Sequence, residues 1–503
     1  MEALDRKRDC AKLTIPYLLP EIGRTLGDPL YKPYSSDGSR GAKALAAKLV
    51  LALFPPQRAF FELRFDEAAL TVAEQYDPNI RDTVDNLLRP NTSTIMHEFD
   101  GAKVRSSITT MLLYLITTGD ALALWESLDK PMRVLRPDSW VTRRTGDGTV
   151  VELLIRERVN LESIPEKVRP QIEVRMSEQS DHDNIEVYTR VQKEDGKYTS
   201  VQECEGIRFN EGSFPEWKKG PFIGPLRWQK VDGEAYGIGH AEDNLGTLRT
   251  VEGLAKLIVQ GASAVAKVNW LVDPSTGLHP KDLTTAANGA VLVANLGGTT
   301  PVQAITSGQK VNDFQVALSA LQTERGNLRA AFLMTEAIQR DAERVTAEEI
   351  RMLGQELENA LGGVYTMLAE DFQTAILDRL IELIRREKPG ALPSTQIDGI
   401  DIQLLTGLRA LGAGHDMNAL QQFMMAASAV PNAAQYLNTG AILTDMAKHQ
   451  GVAGNVVLSQ DQVQQMQQMQ RQQELLSSAA PGVSTEIAKG YVQANLPQGE
   501  QPQ

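Results

Sequence analysis

Three short runs of charged residues carry side chains that could bind a metal or transfer protons. Residues 181–184, DHDN, offer oxygen ligands for a cation, but they lack the glycine and the distal glutamate of a calcium loop, so a polar turn is the favoured interpretation. His97-Glu98 is not followed by a second histidine at the spacing of a zinc-binding helix. Glu348-Glu349 would lie at a helix start, where acidic residues usually offset the positive helix end. The sequence therefore predicts no catalytic residue and no metal ligand.

Two glycine-containing runs could contact phosphate groups, but neither is a complete motif. Gly237-Ile238-Gly239 lacks the third glycine of a dinucleotide-binding loop. Residues 38–43 lack the spacing of a P-loop and the Ser or Thr that follows its lysine. We expect no nucleotide and no other cofactor.

Composition and charge narrow the class of protein. The 503 residues can form about two to four domains. A formal net charge of -13 argues against a protein that grips nucleic acid through a basic surface, because such binding needs clustered Lys and Arg. Cys10 and Cys204 are the two cysteines, which favours a reducing compartment. The N-terminal MEALDRKRDC has no apolar run, so we expect no secretory signal, and no stretch reaches the roughly 18 apolar residues of a membrane span.

The longest helical pattern lies between residues 346 and 387. Thr346 and Glu349 have the spacing of a reciprocal capping box, and the apolar residues that follow recur at helical intervals. Pro389 stops the pattern. At 1.5 Å per residue this is a helix of about 60 Å, and Gly362-Gly363 near its middle predicts a bend.

The remaining periodicities predict an α+β chain that is mainly α-helical. Residues 1 to about 130 are predicted to be mostly helical. Residues of about 131–231 have β-like runs around turns at Gly146-Asp147-Gly148 and Glu194-Asp195-Gly196, which predicts antiparallel hairpins, with a short helix at 161–176 between them.

Two helical patterns of similar length flank a small insert. The helices are predicted at residues 240–267 and 313–334, and β-like runs in the insert at 290–294 and 301–305. The two helices can pair antiparallel and hold the insert at their far tip. After Pro389 we expect a loop to about residue 403, short helices at 406–411, 417–430 and 433–450, and a glutamine-rich flexible tail.

Five blocks of this sequence resemble, in the same order, portal (head-to-tail connector) proteins of short-tailed, T7-like bacteriophages. They are TIPYLLP (14–20), GAKALAAKLVLALFPPQRAFFELRF (41–65), VDGEAYGIGHAEDNLGTLRTVEGL (231–254), ERVTAEEIR with LGGVY (343–351 and 361–365) and TGLRALGAGHDMNAL (406–420). They are distributed in order over nearly all of residues 1–425, so the resemblance is specific.

The resemblance implies a ring of about twelve subunits at one capsid vertex, through which double-stranded DNA passes without sequence-specific contacts. It maps a wing onto residues 1–239 and 346–395, stem helices onto 240–268 and 309–334, a clip onto 269–308, a channel loop onto 335–345, a crown onto 396–458 and a tail onto 459–503. The implied location is the virion, and the host cytoplasm during assembly. The implied partners are the terminase large subunit, tail adaptor and tail tube proteins, scaffolding and capsid proteins, and internal core proteins, with no direct membrane contact.

The implied channel loop contains a nearly balanced set of charges, at Glu336, Arg340, Asp341, Glu343 and Arg344. One hypothesis is that Arg340 and Arg344 make weak phosphate contacts with passing DNA. The other is that one or both arginines pair with Glu343, Glu348 or a neighbouring subunit. The implied docking positions in the clip are Pro274, Leu278 and Pro301, with Trp270 as an anchor at its base.

Two other classes remain as alternatives to a DNA channel. A scaffold or adaptor protein could assemble without a channel. Less favoured is a hydrolase with a dispersed site, which would bind substrate tightly as a small oligomer and form no ring.

Overall fold

Helices and antiparallel strands alternate through the first of two compact units of the chain, residues 1–411 and 412–503. The computed structural model describes residues 2–24, 27–56, 59–65, 80–176, 184–266, 269–272, 281, 285, 302–305, 311–334, 347–392, 402–406, 424–425, 427, 442 and 469. Most of the expected crown and the whole expected flexible tail except Met469 lie outside these residues. No helix in the described part has an apolar stretch long enough to cross a membrane.

The first half of the unit contains five α-helices and nine strands within the described residues. In chain order they are α1 (Glu2–Leu13), α2 (Asp37–Leu53), β1 (Phe61–Phe65), α3 (Ile80–Gly101), α4 (Arg105–Thr118), β2 (Asp120–Leu124), β3 (Arg133–Leu135), β4 (Trp140–Arg144), β5 (Val150–Val159), α5 (Arg169–Arg175), β6 (Ile185–Glu194), β7 (Lys197–Cys204), β8 (Ile207–Phe214) and β9 (Phe222–Arg227). Short 3₁₀ turns lie at Leu161–Ser163 and Trp217–Lys219.

The second half is mostly helical. Its described elements are α6 (His240–Asp243), α7 (Leu245–Ala266), β10 (Asn269–Val272), β11 (Val302–Ile305), α8 (Val311–Ala331), α9 (Ala347–Leu361), α10 (Gly363–Met367), a π-helical turn (Leu368–Phe372), α11 (Gln373–Glu387) and β12 (Ile402–Thr406).

A cluster of phenylalanine rings joins the N-terminal helices to the helices after residue 347. Phe54, at the end of α2, lies 5.0 Å from Phe60, 6.0 Å from Phe99 and 5.5 Å from Phe372, measured between ring centroids. All four rings are buried. Each aromatic pair contributes about 0.5–1.5 kcal/mol beyond burial. The cluster therefore stabilises one core that is built from segments far apart in sequence.

The predicted hairpins form a five-stranded antiparallel sheet with the order β4-β5-β6-β7-β8. Asp195 and Gly196 have φ values of 47° and 79°, so the β6–β7 turn uses the left-handed backbone that Asp-Gly favours. The chain after this turn forms two strands, β7 and β8, because Glu205 and Gly206 form a second left-handed turn. The predicted helix at 161–176 is a 3₁₀ turn followed by the shorter α5.

Three strands lie where the sequence predicted helices or loops. β1 lies in the N-terminal part that was predicted to be mostly helical. It pairs with β12, which lies where a loop to about residue 403 and a helix from residue 406 were predicted. β2 also lies in the part predicted to be mostly helical, and it pairs with β3 and β9. These predictions were wrong because the pairings of β1 with β12 and of β2 with β9 join segments that are distant in sequence, and local spacing does not contain that information.

The predicted 346–387 helix is interrupted rather than continuous. Gly362 has φ 56° and ψ −136°, a backbone conformation essentially restricted to glycine, and it separates α9 from α10. The π-helical turn then shifts the phase of the apolar residues before α11. Side chains of α11 that reach the core include Ile376, Leu380 and Ile384, each fully buried.

Candidate functional site: the helical hairpin and its base

The helices α7 and α8, called the helical hairpin below, pack antiparallel. At one end, His240 Nε2, just before α7, lies 2.9 Å from the carbonyl oxygen of Ala331 at the end of α8. Further along, Gly261 faces Phe314, and a Cβ at position 261 would lie 2.1 Å from a Phe314 ring carbon. Gly261 therefore permits the close approach of the two helices.

A pair of short strands extends the hairpin beyond its far end. β10 follows α7 and pairs antiparallel with β11, with Asn269 opposite Ile305 and Val272 opposite Val302. Residues 273–301 connect the two strands.

At the base of the hairpin, the backbone of residues 237–239 crosses the junction between α4 and β2. The contact is made by glycines. Gly119 ends α4 with φ 80°, and its carbonyl oxygen accepts the Trp228 N–H at 2.8 Å. A Cβ at position 119 would lie 2.5 Å from the Gly237 carbonyl oxygen and 2.7 Å from the Gly239 nitrogen. The two backbone segments can approach this closely only without side chains.

A buried ion pair lies beside this crossing. The Lys7 ammonium in α1 donates to Asp120 Oδ2, and the Gly237 N–H donates to Asp120 Oδ1 at 2.9 Å. The side chains of Lys7 and Asp120 are 5% and 1% exposed. Burial raises the pKa of Asp120, while the Lys7 ammonium and the Gly237 N–H oppose that shift. Removing one partner would leave a buried charge unpaired, which typically costs about 3–5 kcal/mol.

Two further ion pairs hold α1 against the hairpin. Arg6 Nε lies 3.2 Å from Glu242 Oε1, and Arg249 donates to Asp9 Oδ2 at 2.6 Å. These pairs are more exposed than the Lys7–Asp120 pair, so each stabilises by about 1 kcal/mol at most. Together the three pairs place α1 across the junction of β2 and the hairpin base.

The segment of residues 31–37 packs on one side of the hairpin through buried carboxylates. Glu252 in α7 accepts hydrogen bonds from the Tyr31 hydroxyl at 3.0 Å and from the Tyr34 and Ser35 N–H groups at 2.9 Å each. Arg325 in α8 donates to Asp37 Oδ2 at 2.7 Å. Both helices are therefore fastened to the same segment.

His240 makes the hairpin base sensitive to acid. Its ring packs between Trp228 and Phe332, with centroids 5.9 Å and 4.9 Å away, and burial lowers its pKa below the ordinary value of about 6.5. Because the folded state then binds fewer protons than the unfolded state, stability is full above about pH 6.5 and falls as the pH drops through the folded pKa. We expect the thermal unfolding midpoint to fall as the pH is lowered from about 6.5.

The matched variant is His240→Gln, whose amide can still donate to the Ala331 carbonyl without titrating. The difference in unfolding midpoint between wild type and variant should grow as the pH falls. A constant difference across this range would show that His240 does not cause the pH dependence.

Both cysteines are buried, and the acidic residues of the described part form no group that could hold a metal ion. Cys10 is buried, which raises the pKa of its thiol to about 12, and burial also raises the pKa of Cys204. The described residues contain no group of three or more His, Cys, Asp or Glu arranged to hold a metal ion.

The residues singled out from the sequence are scattered over this architecture. Trp270 is in β10 opposite Ala304, and Glu349 is in the first turn of α9. Gly362 and Gly363 lie at the α9–α10 break described above. Other singled-out positions lie outside the described residues: Pro274, Leu278, Pro301, Glu336, Arg340, Asp341, Glu343, Arg344, Thr346 and residues 181–183.

Sequence reasoning missed Asp120 and Glu252. A signal was present in each case, because a carboxylate interrupts an otherwise apolar run in TTGDALAL and in TVEGLAKLIV. A charge in such a run is costly to bury unless it is paired, so each predicts a partner without identifying it.

Comparison with known proteins gives long matches. Residues 2–457 match the family described as bacteriophage head to tail connecting protein. The portal protein of Escherichia phage T7 is 29% identical over 96% of this chain and 90% of its own length. That of Enterobacteria phage T3 is 31% identical over 96% of this chain and 89% of its own length, and that of Enterobacteria phage SP6 is 27% identical over 95% and 93%.

Proposed function

The chain belongs to the bacteriophage head to tail connecting protein family, and we propose that it is a portal protein, a ring subunit at one capsid vertex through which double-stranded DNA is packaged and ejected. The observation that carries this proposal is the match over residues 2–457, supported by a 31% identical portal protein that aligns with 96% of the chain. In this ring, which we propose has about twelve subunits, the protein acts through assembly and catalyses no reaction.

The hairpin and its base support the assignment of parts. We propose that α7 and α8 are the stem, that residues 269–308 are the clip, and that residues 1–239 and 346–395 are the wing. A stem must keep its angle to the wing while DNA moves past it. The glycine crossing at Gly119, the Lys7–Asp120 pair and the Glu252 hydrogen bonds would hold that angle.

The remaining assignments follow the order of the family. Residues 335–345 are the channel loop, with Arg340 and Arg344 near the DNA, residues 396–458 the crown and residues 459–503 a tail. A net charge of -13 suits a channel through which DNA slides, because each tight phosphate contact would add affinity by counterion release. Repulsion from acidic walls is screened over roughly 10 Å at ordinary salt.

The proposed location is the virion, with assembly in the host cytoplasm. Proposed partners are the terminase large subunit, tail adaptor and tail tube proteins, scaffolding and capsid proteins, and internal core proteins.

Imaging of the purified protein by negative-stain electron microscopy, together with native mass spectrometry, tests the proposal. The expected result is rings of about twelve copies with an open axial hole. Rings without a hole would support a scaffold or adaptor instead. A chain that stays monomeric even with its scaffolding protein present would contradict the portal assignment.

A further inference from the structure

The strands β4, β5 and β6 present an arginine-rich face to solvent. Side chains alternate along a strand, so Leu153, Ile155 and Val191 are buried while Leu154 and Arg190 lie on the opposite side, called the outer face below. Before the β6–β7 turn, the strand register places four arginines and two glutamates on the outer face: Arg143, Arg156, Arg158, Arg190, Glu152 and Glu186. The outer face of these strands therefore has a formal charge of +2, in a chain whose net charge is -13.

The arginines extend further into solvent than the glutamates that they pair with. Glu152 accepts from Arg190 Nε at 2.8 Å and from Arg143 Nε at 3.2 Å, and Glu186 lies 3.3 Å from Arg158. The two glutamate side chains are 25% and 35% exposed, whereas Arg143, Arg158 and Arg190 are 64%, 66% and 51% exposed. A partner would therefore meet guanidinium groups first, and each guanidinium has five N–H donors to offer.

A row of apolar side chains crosses the sheet between the charged residues. Val141 in β4 is opposite Leu154 in β5, and Leu154 is opposite Arg190 in β6. Val141 is 55% exposed, and Leu154 is half-buried. Arg143 and Arg156 are each two residues from this row, one on either side, which is about 7 Å along a strand. The outer face thus combines an apolar centre with cations on both flanks.

This combination decides between possible occupants. Nucleic acid would leave the apolar row without a complement and would place phosphates beside Glu152 and Glu186. A second copy bound through the same face would set two positively charged surfaces against each other. An added strand at the β4 edge is disfavoured, because the Thr142 N–H donates to the Tyr236 hydroxyl at 3.3 Å. A protein segment with both carboxylates and apolar side chains complements the whole face, because arginine forks match carboxylates.

We propose that the outer face binds an acidic, amphipathic segment of a partner protein. Carboxylates of the segment lie on Arg143, Arg156 and Arg190, and its apolar side chains lie on Val141 and Leu154. The inference goes beyond the proposed function and does not depend on it, because the surface belongs to a single subunit.

The charge variant that tests the proposal is Arg143→Gln with Arg156→Gln, which removes one cation from each side of the apolar row. Glu152 keeps its bond from Arg190, and Glu186 keeps its contact with Arg158. No glutamate on this part of the face loses all its partners, so the fold should be retained, which the thermal unfolding midpoint checks.

A second variant and a matched control separate the apolar contact from overall charge. Val141→Thr keeps the β-branched shape of an exposed strand residue and replaces a methyl group by a hydroxyl. The control is Arg6→Gln with Arg249→Gln, which changes the net charge by the same amount as the charge variant. Arg6 and Arg249 have similar exposure, 62% and 59%, and lie in α1 and α7 rather than in the sheet.

The measurement is fluorescence anisotropy of a labelled peptide added to the full-length protein. The peptide has leucines at positions i, i+3, i+4 and i+7 and glutamates elsewhere, so that it can form an acidic amphipathic helix. Wild type and control should bind it equally. The charge variant should bind about tenfold more weakly and with a smaller dependence on salt. Val141→Thr should bind about fourfold more weakly with the salt dependence unchanged.

Several outcomes would overturn the proposal. Wild type might fail to bind the peptide at low salt, or the control could lose as much affinity as the charge variant, which would assign the binding to overall charge. Equal binding of a peptide with serines in place of the leucines would exclude the apolar row. Tighter binding of a DNA duplex than of the peptide, lost in the charge variant, would make the outer face a nucleic-acid site instead. Ring formation by the same variants tests the portal proposal separately.

Discussion

Replacing Gly119 by alanine is expected to lower the stability of the subunit by about 3 kcal/mol or more. Two causes add. The residue has φ 80°, and a left-handed backbone costs a residue with a Cβ about 1–2 kcal/mol. The new Cβ would also lie 2.5–2.7 Å from backbone atoms of residues 237–239, which cannot rotate away as a side chain could.

Gly119→Ala should first loosen the contacts around the glycine crossing, before the whole subunit unfolds. The Trp228 N–H bond to the Gly119 carbonyl and the Gly237 N–H bond to Asp120 both cross this contact, so separation would weaken them. We expect faster hydrogen exchange at residues 237–251 and a lower unfolding midpoint.

Gly246→Ala is the matched control, because Gly246 lies in the first turn of α7 and no atom comes within 4 Å of the added Cβ. Its unfolding midpoint should be unchanged or slightly raised, since alanine favours helix by up to about 1 kcal/mol. If Gly119→Ala matched this control, the glycine crossing would not be what holds the hairpin base.

Removing the chain at the tip of the hairpin is expected to abolish binding to the terminase large subunit and the tail adaptor while rings still form. Val272 and Val302 are directly opposite in the β10–β11 pair, so a two-residue Asn-Gly turn can replace residues 273–301 without moving either strand. This removes Pro274, Leu278 and Pro301 and keeps Trp270. The contacts that hold the hairpin lie at its base and stay in place.

The measurement is co-sedimentation of the purified terminase large subunit with purified rings. A second variant, in which a Gly-Ser linker of the same length replaces residues 273–301, should also fail to bind, which would assign the docking to side chains rather than to spacing. Terminase binding that survives in both variants would show that residues 273–301 are not the docking site. The rings themselves would still support a portal.

Much of the architecture could be predicted because its causes are local. The spacing of Leu45, Leu49 and Leu53 and the prolines after Phe54 define α2, which ends at Leu53 as the sequence indicates. Asp195-Gly196 defines a β-turn because these residues tolerate a left-handed backbone. The family was also evident from the sequence, since five blocks resemble it in the same order, and the match over residues 2–457 confirms it.

The tertiary structure alone decided which distant segments meet. The pairing of Phe61 with Thr406, the Lys7–Asp120 pair and the Glu252 hydrogen bonds each join residues more than 100 positions apart. The periodicity of a sequence predicts that a residue is buried or that a buried charge needs a partner, but it does not identify the partner. The same limit applies to the far half of the hairpin: Leu257, Val259, Val316 and Leu318 look like core residues in the sequence, and only the fold leaves them exposed, because the 31–37 segment packs near the hairpin base.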